Sequence, residues 1–339
     1  PPQPARTTPT PEQQSANAAV VLDPHDGSTV DRIDFGRASA RPIKRGAFPT
    51  ARGIGIDFTP DGQKAYVAGC DLDTVCVVDT TVNEVVDRIE IRNASLVAVT
   101  REGRFAYVSG GGSVTAIDTS SNATVATIPL PNVGVIVSGA DEGSRGPFLY
   151  ASIDRGIAVI DSQSNTVVDM ISLDTSPKVI AVSPDGSLLY ASDTEFSSGV
   201  GEVYAVNLGT KVLIESITSS DLPSGIAFSP DSTLAYVVLG GKVSLAVMDA
   251  PSAVTLAEIP LPPGPFGPTY FGLALSPDGR RAFVVPFFNL QSCAERVLAV
   301  DLETRSIDER FSGTLPCFLF SPAPKLAPDG GPLYVPFLL

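Results

Sequence analysis

The sequence predicts an all-β, seven-bladed β-propeller of four-stranded antiparallel blades, closed by pairing an N-terminal hairpin with the C-terminal strands. Three observations carry this. A turn signature recurs seven times at similar spacing, a second hairpin phrase falls between its copies, and no 3.6-residue apolar period accompanies them.

The turn copies begin at Thr59 (Thr59-Pro60-Asp61-Gly62), Thr100, Ala140, Ser183, Ser229, Ser276 and Ala327, at spacings of 41, 40, 43, 46, 47 and 51 residues. Each precedes a strand in which small or apolar residues flank an aromatic, as in Ala65-Tyr66-Val67. A period of about forty residues, with strands on both sides of every turn, suits propeller blades.

Within the repeat around Ser183, residues 178–182, 188–192, 201–208 and 211–217 are β-rich runs separated by turn residues. They read as one four-stranded sheet, with strands A to D from inside to outside. The C–D hairpin carries the phrase Val77-Val78-Asp79-Thr80-Thr81-Val82-Asn83, which returns with Asp118 and Asn122 and again with Asp161 and Asn165. Asp and Thr or Ser bond the local backbone, and Asn tolerates left-handed geometry, so these residues read as structural.

Hairpins and A–B pairs are out of phase. The hairpin over 17–35 precedes every A–B pair, and the pair over 317–337 has no hairpin after it. Joining the two ends completes the seventh blade and leaves no free edge in the ring. Residues 17–339 are therefore the propeller.

Residues 1–16, rich in Pro, Thr, Gln and Ala, read as a flexible tail. No charged start followed by an apolar stretch opens the chain, so any export signal is expected to have been removed. Such a lead suits an exported or surface-attached domain, with a cloning boundary as the alternative. No apolar run approaches the roughly 18 residues that span a bilayer. Net charge is −14, which repels polyanions and argues against nucleic acid as a partner.

The Tyr-Val strands at Tyr66, Tyr107 and Tyr236, with the Val-Val-Asp-Thr-x-x-Asn hairpin, resemble the YVTN-type β-propeller repeats of secreted and surface-layer proteins. The resemblance covers about residues 17–339. It departs where Gly, Ser or Val replaces the Asn closing the B-strand phrase, and where the turns at 100 and 140 lack Pro. It implies an exported propeller and little about activity.

The A–B and C–D turns share one face and are short and uniform. The D–A crossovers and B–C loops share the other and vary in length, so that face is the expected functional one. Its crossover over 36–53 carries Arg37, Arg41, Lys44, Arg45 and Arg52 and no acid. This is either an anion or carboxylate site at the channel mouth or a solvated loop paired with neighbouring acids. Phe266, Tyr270 and Phe271, with Phe287 and Phe288, belong to two long segments flanking one blade. They form either an apolar ligand patch or a private mini-core. Asp71 with Asp73, Asp154 with Arg155, and Asp193 with Glu195 occupy three B–C loops. They are candidates for Ca²⁺ or acid–base chemistry, although none matches a calcium loop, and solvated loop tips are the alternative.

The four cysteines are expected to form two disulfides, Cys70–Cys76 and Cys293–Cys317, which suits an oxidising compartment. A four-cysteine zinc site is the competing reading, though neither spacing is C-x2-C. His25 is the sole histidine and falls in a hairpin turn on the opposite face, so histidine-based triads and multi-His metal centres are poorly served. No nucleophile elbow, phosphate loop or dinucleotide fingerprint is present.

These readings give an exported, monomeric binding or scaffold module without a required cofactor. It recognises a protein partner or a small anionic or apolar ligand around the channel mouth. A propeller hydrolase, lyase or isomerase using carboxylates, Arg and Ca²⁺ is the alternative.

Overall fold

The structure is a computed structural model that describes residues 16–37, 54–71, 73–139, 147–195, 200–219, 221–263, 270–286, 295–311, 313–315 and 324–337. Among these residues there are seven four-stranded antiparallel sheets, one two-stranded pairing and no helix. Blade one runs from inside to outside as Gly55–Phe58, Lys64–Asp71, Thr74–Asp79 and Glu84–Glu90. Blades two to six repeat that order from Leu96, Ile136, Val179, Pro223 and Tyr270.

Blade seven joins the ends as predicted. Its inner strands, Lys325–Leu326 and Leu333–Phe337, are C-terminal, and its outer strands, Ala16–Leu22 and Thr29–Arg37, are N-terminal. The joint is a continuous ladder in which Ala18 pairs with Phe337 and Leu22 with Leu333. Successive side chains of a strand point to opposite faces, and here both faces are buried. Ala18, Val20 and Leu22 pack on blade six, while Ala19 and Val21 pack on blade one.

The hydrophobic core is thus seven slices, one between each pair of neighbouring blades. The repeated Tyr and Asn clip these slices together. Tyr66 Oη on strand B of blade one donates to Asn122 Oδ1 in the C–D hairpin of blade two, at 2.8 Å. Tyr107 does the same to Asn165 in blade three at 2.6 Å, and Tyr334 of blade seven to Asn83 of blade one at 2.8 Å. The three Asn residues have φ of 55°, 56° and 54° (Asn83, Asn122, Asn165), the left-handed geometry that suits Asn and turns its side chain toward the neighbouring blade. In blade five Ala253 takes the Asn position, and Tyr190 donates instead to the Ala250 carbonyl at 2.7 Å.

One interface lacks both partners. Blade six has Phe283 where the others have Tyr, and the hairpin of blade seven has Gly27 where Asn is expected. Arg281 replaces the clip: its Nη1 donates to the carbonyls of Pro24 at 2.9 Å and His25 at 3.3 Å, and its Nη2 pairs with Asp308 at 3.2 Å. His25 lies in the hairpin turn, with its backbone N–H bonded to Asp23 Oδ1.

The outer strands explain the exposed Val30, Val86, Val125, Val168, Ile214 and Leu256. Each is the extra, unpaired residue of a β-bulge in a D strand. A bulge kinks the outermost strand and blunts an edge that would otherwise template intermolecular pairing.

Burial pushes the phenols of Tyr66, Tyr107 and Tyr190 above their usual range, and that of Tyr334 up to about 12. An unfolded phenol ionises near pH ~10, so above that pH the unfolded chain binds fewer protons than the native one and stability falls as pH rises. Tyr334→Phe is expected to flatten that loss between pH 10 and 12. At pH 7, Tyr107→Phe leaves Asn165 Oδ1 and the Ser162 carbonyl without their donor and costs about 1–2 kcal/mol in urea denaturation. A Tyr107→Phe midpoint equal to wild type would refute the clip.

Candidate functional site on the loop face

Five aspartates of the turn face, Asp61, Asp79, Asp118, Asp231 and Asp278, are committed to their own turns. Thr59, Ser229 and Ser276 hydroxyls donate to Asp61, Asp231 and Asp278 at 2.6, 2.6 and 2.5 Å, and each carboxylate also accepts a backbone N–H two residues on. Asp79 and Asp118 are held alike by Thr81 and Ser120. These hydroxyl bonds keep all five carboxyls below the usual carboxylate range. Clefts of about 500 and 550 Å³ lie on this face, between blades six and seven and between blades one and two.

On the loop face several candidate acids staple B–C loops to crossovers. Asp73 Oδ1 accepts the Asn93 N–H at 2.6 Å, and Asp154 Oδ2 accepts from Asn132 Nδ2 at 2.6 Å. Lys242 pairs with Asp221 in the same manner at 2.9 Å. Asp71, half-buried at the end of strand B in blade one, pairs in register with Thr74. These positions are distributed over separate blades rather than gathered at one point.

Blades three and four form the exception. Arg155, at φ 59°, faces Asp174 of the next crossover at 3.6 Å in an exposed pair. The following residue, Thr175, donates its hydroxyl to Asp193 Oδ2 on strand B of blade four. Asp193 stands directly opposite Glu202 on strand C, and Glu202 Oε2 accepts the Tyr204 hydroxyl. The Tyr204 ring is buried between the two blades. Burial, and then the carboxylates of Glu202, Asp193 and Asp174, raise its pKa. Like charges directly opposite on neighbouring strands are destabilising, so this corner is a local conflict within a regular scaffold.

The structure therefore sets Arg155 and Asp193 against neighbouring residues of one crossover, Asp174 and Thr175, and adds these two with Glu202 and Tyr204, which sequence reasoning missed. A signal was present. Aligned on the hairpin residues Asp79, Asp118, Asp161, Asn207 and Asp249, Glu202 replaces Thr74, Ser113, Gly156 and Ser244, and Tyr204 replaces Cys76, Thr115, Ala158 and Ala246. Repeat breaking, rather than residue type, marks the corner.

Arg41, Lys44, Arg45, Arg52, Phe266, Phe287 and Phe288 lie outside the described residues, as do Cys293 and Cys317. For Glu195, Tyr270 and Phe271 the strand backbone alone is described. Among the described residues no group of three or more His, Cys, Asp or Glu side chains is arranged to hold a metal ion, and no helix is long and apolar enough to cross a membrane. The Cys70–Cys76 disulfide is present, with its Cα atoms 6.0 Å apart.

No protein-family model matches the chain, and no curated protein matches it. Solved structures do. A chain of Kuenenia stuttgartiensis hydrazine synthase superposes with a TM-score of 0.68 at 18% identity, covering 85% of this chain and 94% of that one. Matches extend to 1428 chains of solved structures, a breadth that speaks for the fold and not for an activity.

Glu202→Gln keeps an acceptor for Tyr204 and removes the repulsion with Asp193, so it is expected to raise stability by about 0.2–1 kcal/mol in urea denaturation. A fall of that size would show that the two carboxylates do not repel each other.

Proposed function

We propose that the chain is an exported propeller of the YVTN type that acts as a binding or scaffold module, using its loop face around the channel mouth. The observation that carries this reading is the contrast between the faces. The repeated aspartates of the turn face are consumed by their turns, whereas the loop face breaks the repeat at the corner of Arg155, Asp174, Asp193, Glu202 and Tyr204. Binding residues are disproportionately found on irregular loops held by a rigid scaffold. The buried Cys70–Cys76 bond supports an oxidising, extracytoplasmic location. Bulged outer strands disfavour edge-to-edge association and support a monomer.

In this reading Arg41, Lys44, Arg45 and Arg52 supply planar and point-charge contacts to an anionic group, and Phe266, Tyr270, Phe271, Phe287 and Phe288 supply apolar contact. The second reading, a hydrolase, lyase or isomerase, is favoured by one feature. Asp193 and Glu202 are carboxylates directly opposite each other on neighbouring strands, each accepting from a hydroxyl, that of Thr175 or Tyr204, and a carboxylate pair is the residue type such chemistry uses.

The test is calorimetric titration of the full chain with a panel of mono- and dicarboxylates. Binding that weakens at least ~10-fold in Arg41→Ala/Lys44→Ala/Arg45→Ala, an arithmetic loss of about 1.4 kcal/mol, supports the anion site. Binding unaffected by the triple substitution overturns it. Turnover of a lactone or ester panel that disappears in Asp193→Asn/Glu202→Gln would favour the enzyme.

A further inference from the structure

The closing blade meets blade one across a seam unlike the other interfaces. Strand B of blade one carries two extra residues, Gly69 and Cys70, between the pairs Ala68–Val75 and Asp71–Thr74, with Gly69 at φ 76°. Such a bulge re-aims the backbone. Its carbonyls face the N-terminal strand: Asn17 Nδ2 donates to the Cys70 oxygen at 3.1 Å and lies 3.5 Å from that of Gly69. Asn17 is 4% exposed, so a donor left without these acceptors would be costly.

The disulfide sits behind the bulge. Cys70 and Cys76 are fully buried in the slice formed with Ala19, Val21, Ile33 and Phe35 of the N-terminal hairpin. Arg88 bridges the same parts, with Nη1 3.1 Å from Cys76 Sγ and Nη2 donating to the Phe35 carbonyl at 2.8 Å. The bond therefore fixes the surface on which the hairpin docks, and the docked hairpin then covers the bond. Sulfurs without solvent access cannot exchange with an external disulfide, so oxidation has to come before docking.

We propose that formation of the Cys70–Cys76 bond is the step that licenses ring closure: the reduced chain keeps its N-terminal hairpin undocked, and the oxidised chain closes. One thiolate attacks an external disulfide, of an oxidoreductase or a small thiol, and forms a mixed disulfide. That attack breaks the external S–S bond and releases its first thiol; the second thiolate then displaces the other external thiol, so the Sγ–Sγ bond forms as the mixed-disulfide bond breaks. Two electrons pass to the external pair, and the two thiol protons end on its released thiols. Closure would thereby be delayed until the chain reaches an oxidising compartment. This inference rests on the seam and is independent of which ligand the loop face takes.

Hydrogen exchange on the full chain, read by mass spectrometry, tests it. In Cys70→Ala/Cys76→Ala, peptides covering 16–37 and 333–337 are expected to exchange at least ~10-fold faster, with blade three (148–161) changed less than about twofold. Unchanged protection of the hairpin, or equal acceleration in every blade, overturns the proposal. Asn17→Ala, with the disulfide intact, is expected to loosen the same hairpin; full protection there would refute the route through the bulge carbonyls. Should the double variant not fold, pulse alkylation during oxidative refolding of the wild type decides. The Cys70–Cys76 bond forming before hairpin protection supports the order, and the reverse sequence overturns it.

Discussion

The ladder between Ala18–Leu22 and Leu333–Phe337 is the contact on which the rest of the molecule depends. Each blade buries its faces only against its two neighbours, so a ring with one blade missing exposes two slices at once. The closing strands are also those furthest apart in sequence, which makes this the costliest loop to close. Side-chain contacts cluster there accordingly. Tyr334 reaches Asn83, Phe58 meets the Tyr334 ring edge-on at 5.0 Å, Lys325 pairs with Asp57 at 3.1 Å, and Asn17 and Arg88 bond across the seam. On the other flank Arg281 substitutes for a missing Tyr–Asn clip.

This arrangement also explains why one face of the propeller is free to vary. The turn face is where Tyr, Asn, Asp and Ser or Thr hold blade to blade and strand to strand, so its residues are fixed by the fold. The loop face carries fewer such duties. Its acids staple crossovers at Asp73 and Asp154, but at blades three and four the chain tolerates two opposed carboxylates. A conflict retained inside an otherwise consistent scaffold is where a functional reading has its best physical support.

Much of the fold was legible because it is written in local chemistry. A Ser or Thr two residues before Asp makes its turn from its own side chains, and the half-blade offset of Asp79-type hairpins from Tyr66-type strands dictates closure. The Cys70–Cys76 bridge was legible too, since six residues spanning one B–C loop leave little choice of partner. The site was less legible because its bonds run between distant segments. Nothing near Asp193 signals that Thr175 will donate to it, and Glu202 and Tyr204 stand out only when five C strands are set in register. Arg281 was hidden for the same reason: its acceptors, the Pro24 and His25 carbonyls, lie at the other end of the chain.

The most direct measurement of the closure is denaturant unfolding of a chain lacking residues 1–37. Without strands C and D of blade seven, the account predicts a lowered midpoint and a smaller slope with denaturant, both restored by adding a peptide of residues 16–37. A truncated chain that unfolds with the midpoint and slope of the full chain would contradict it.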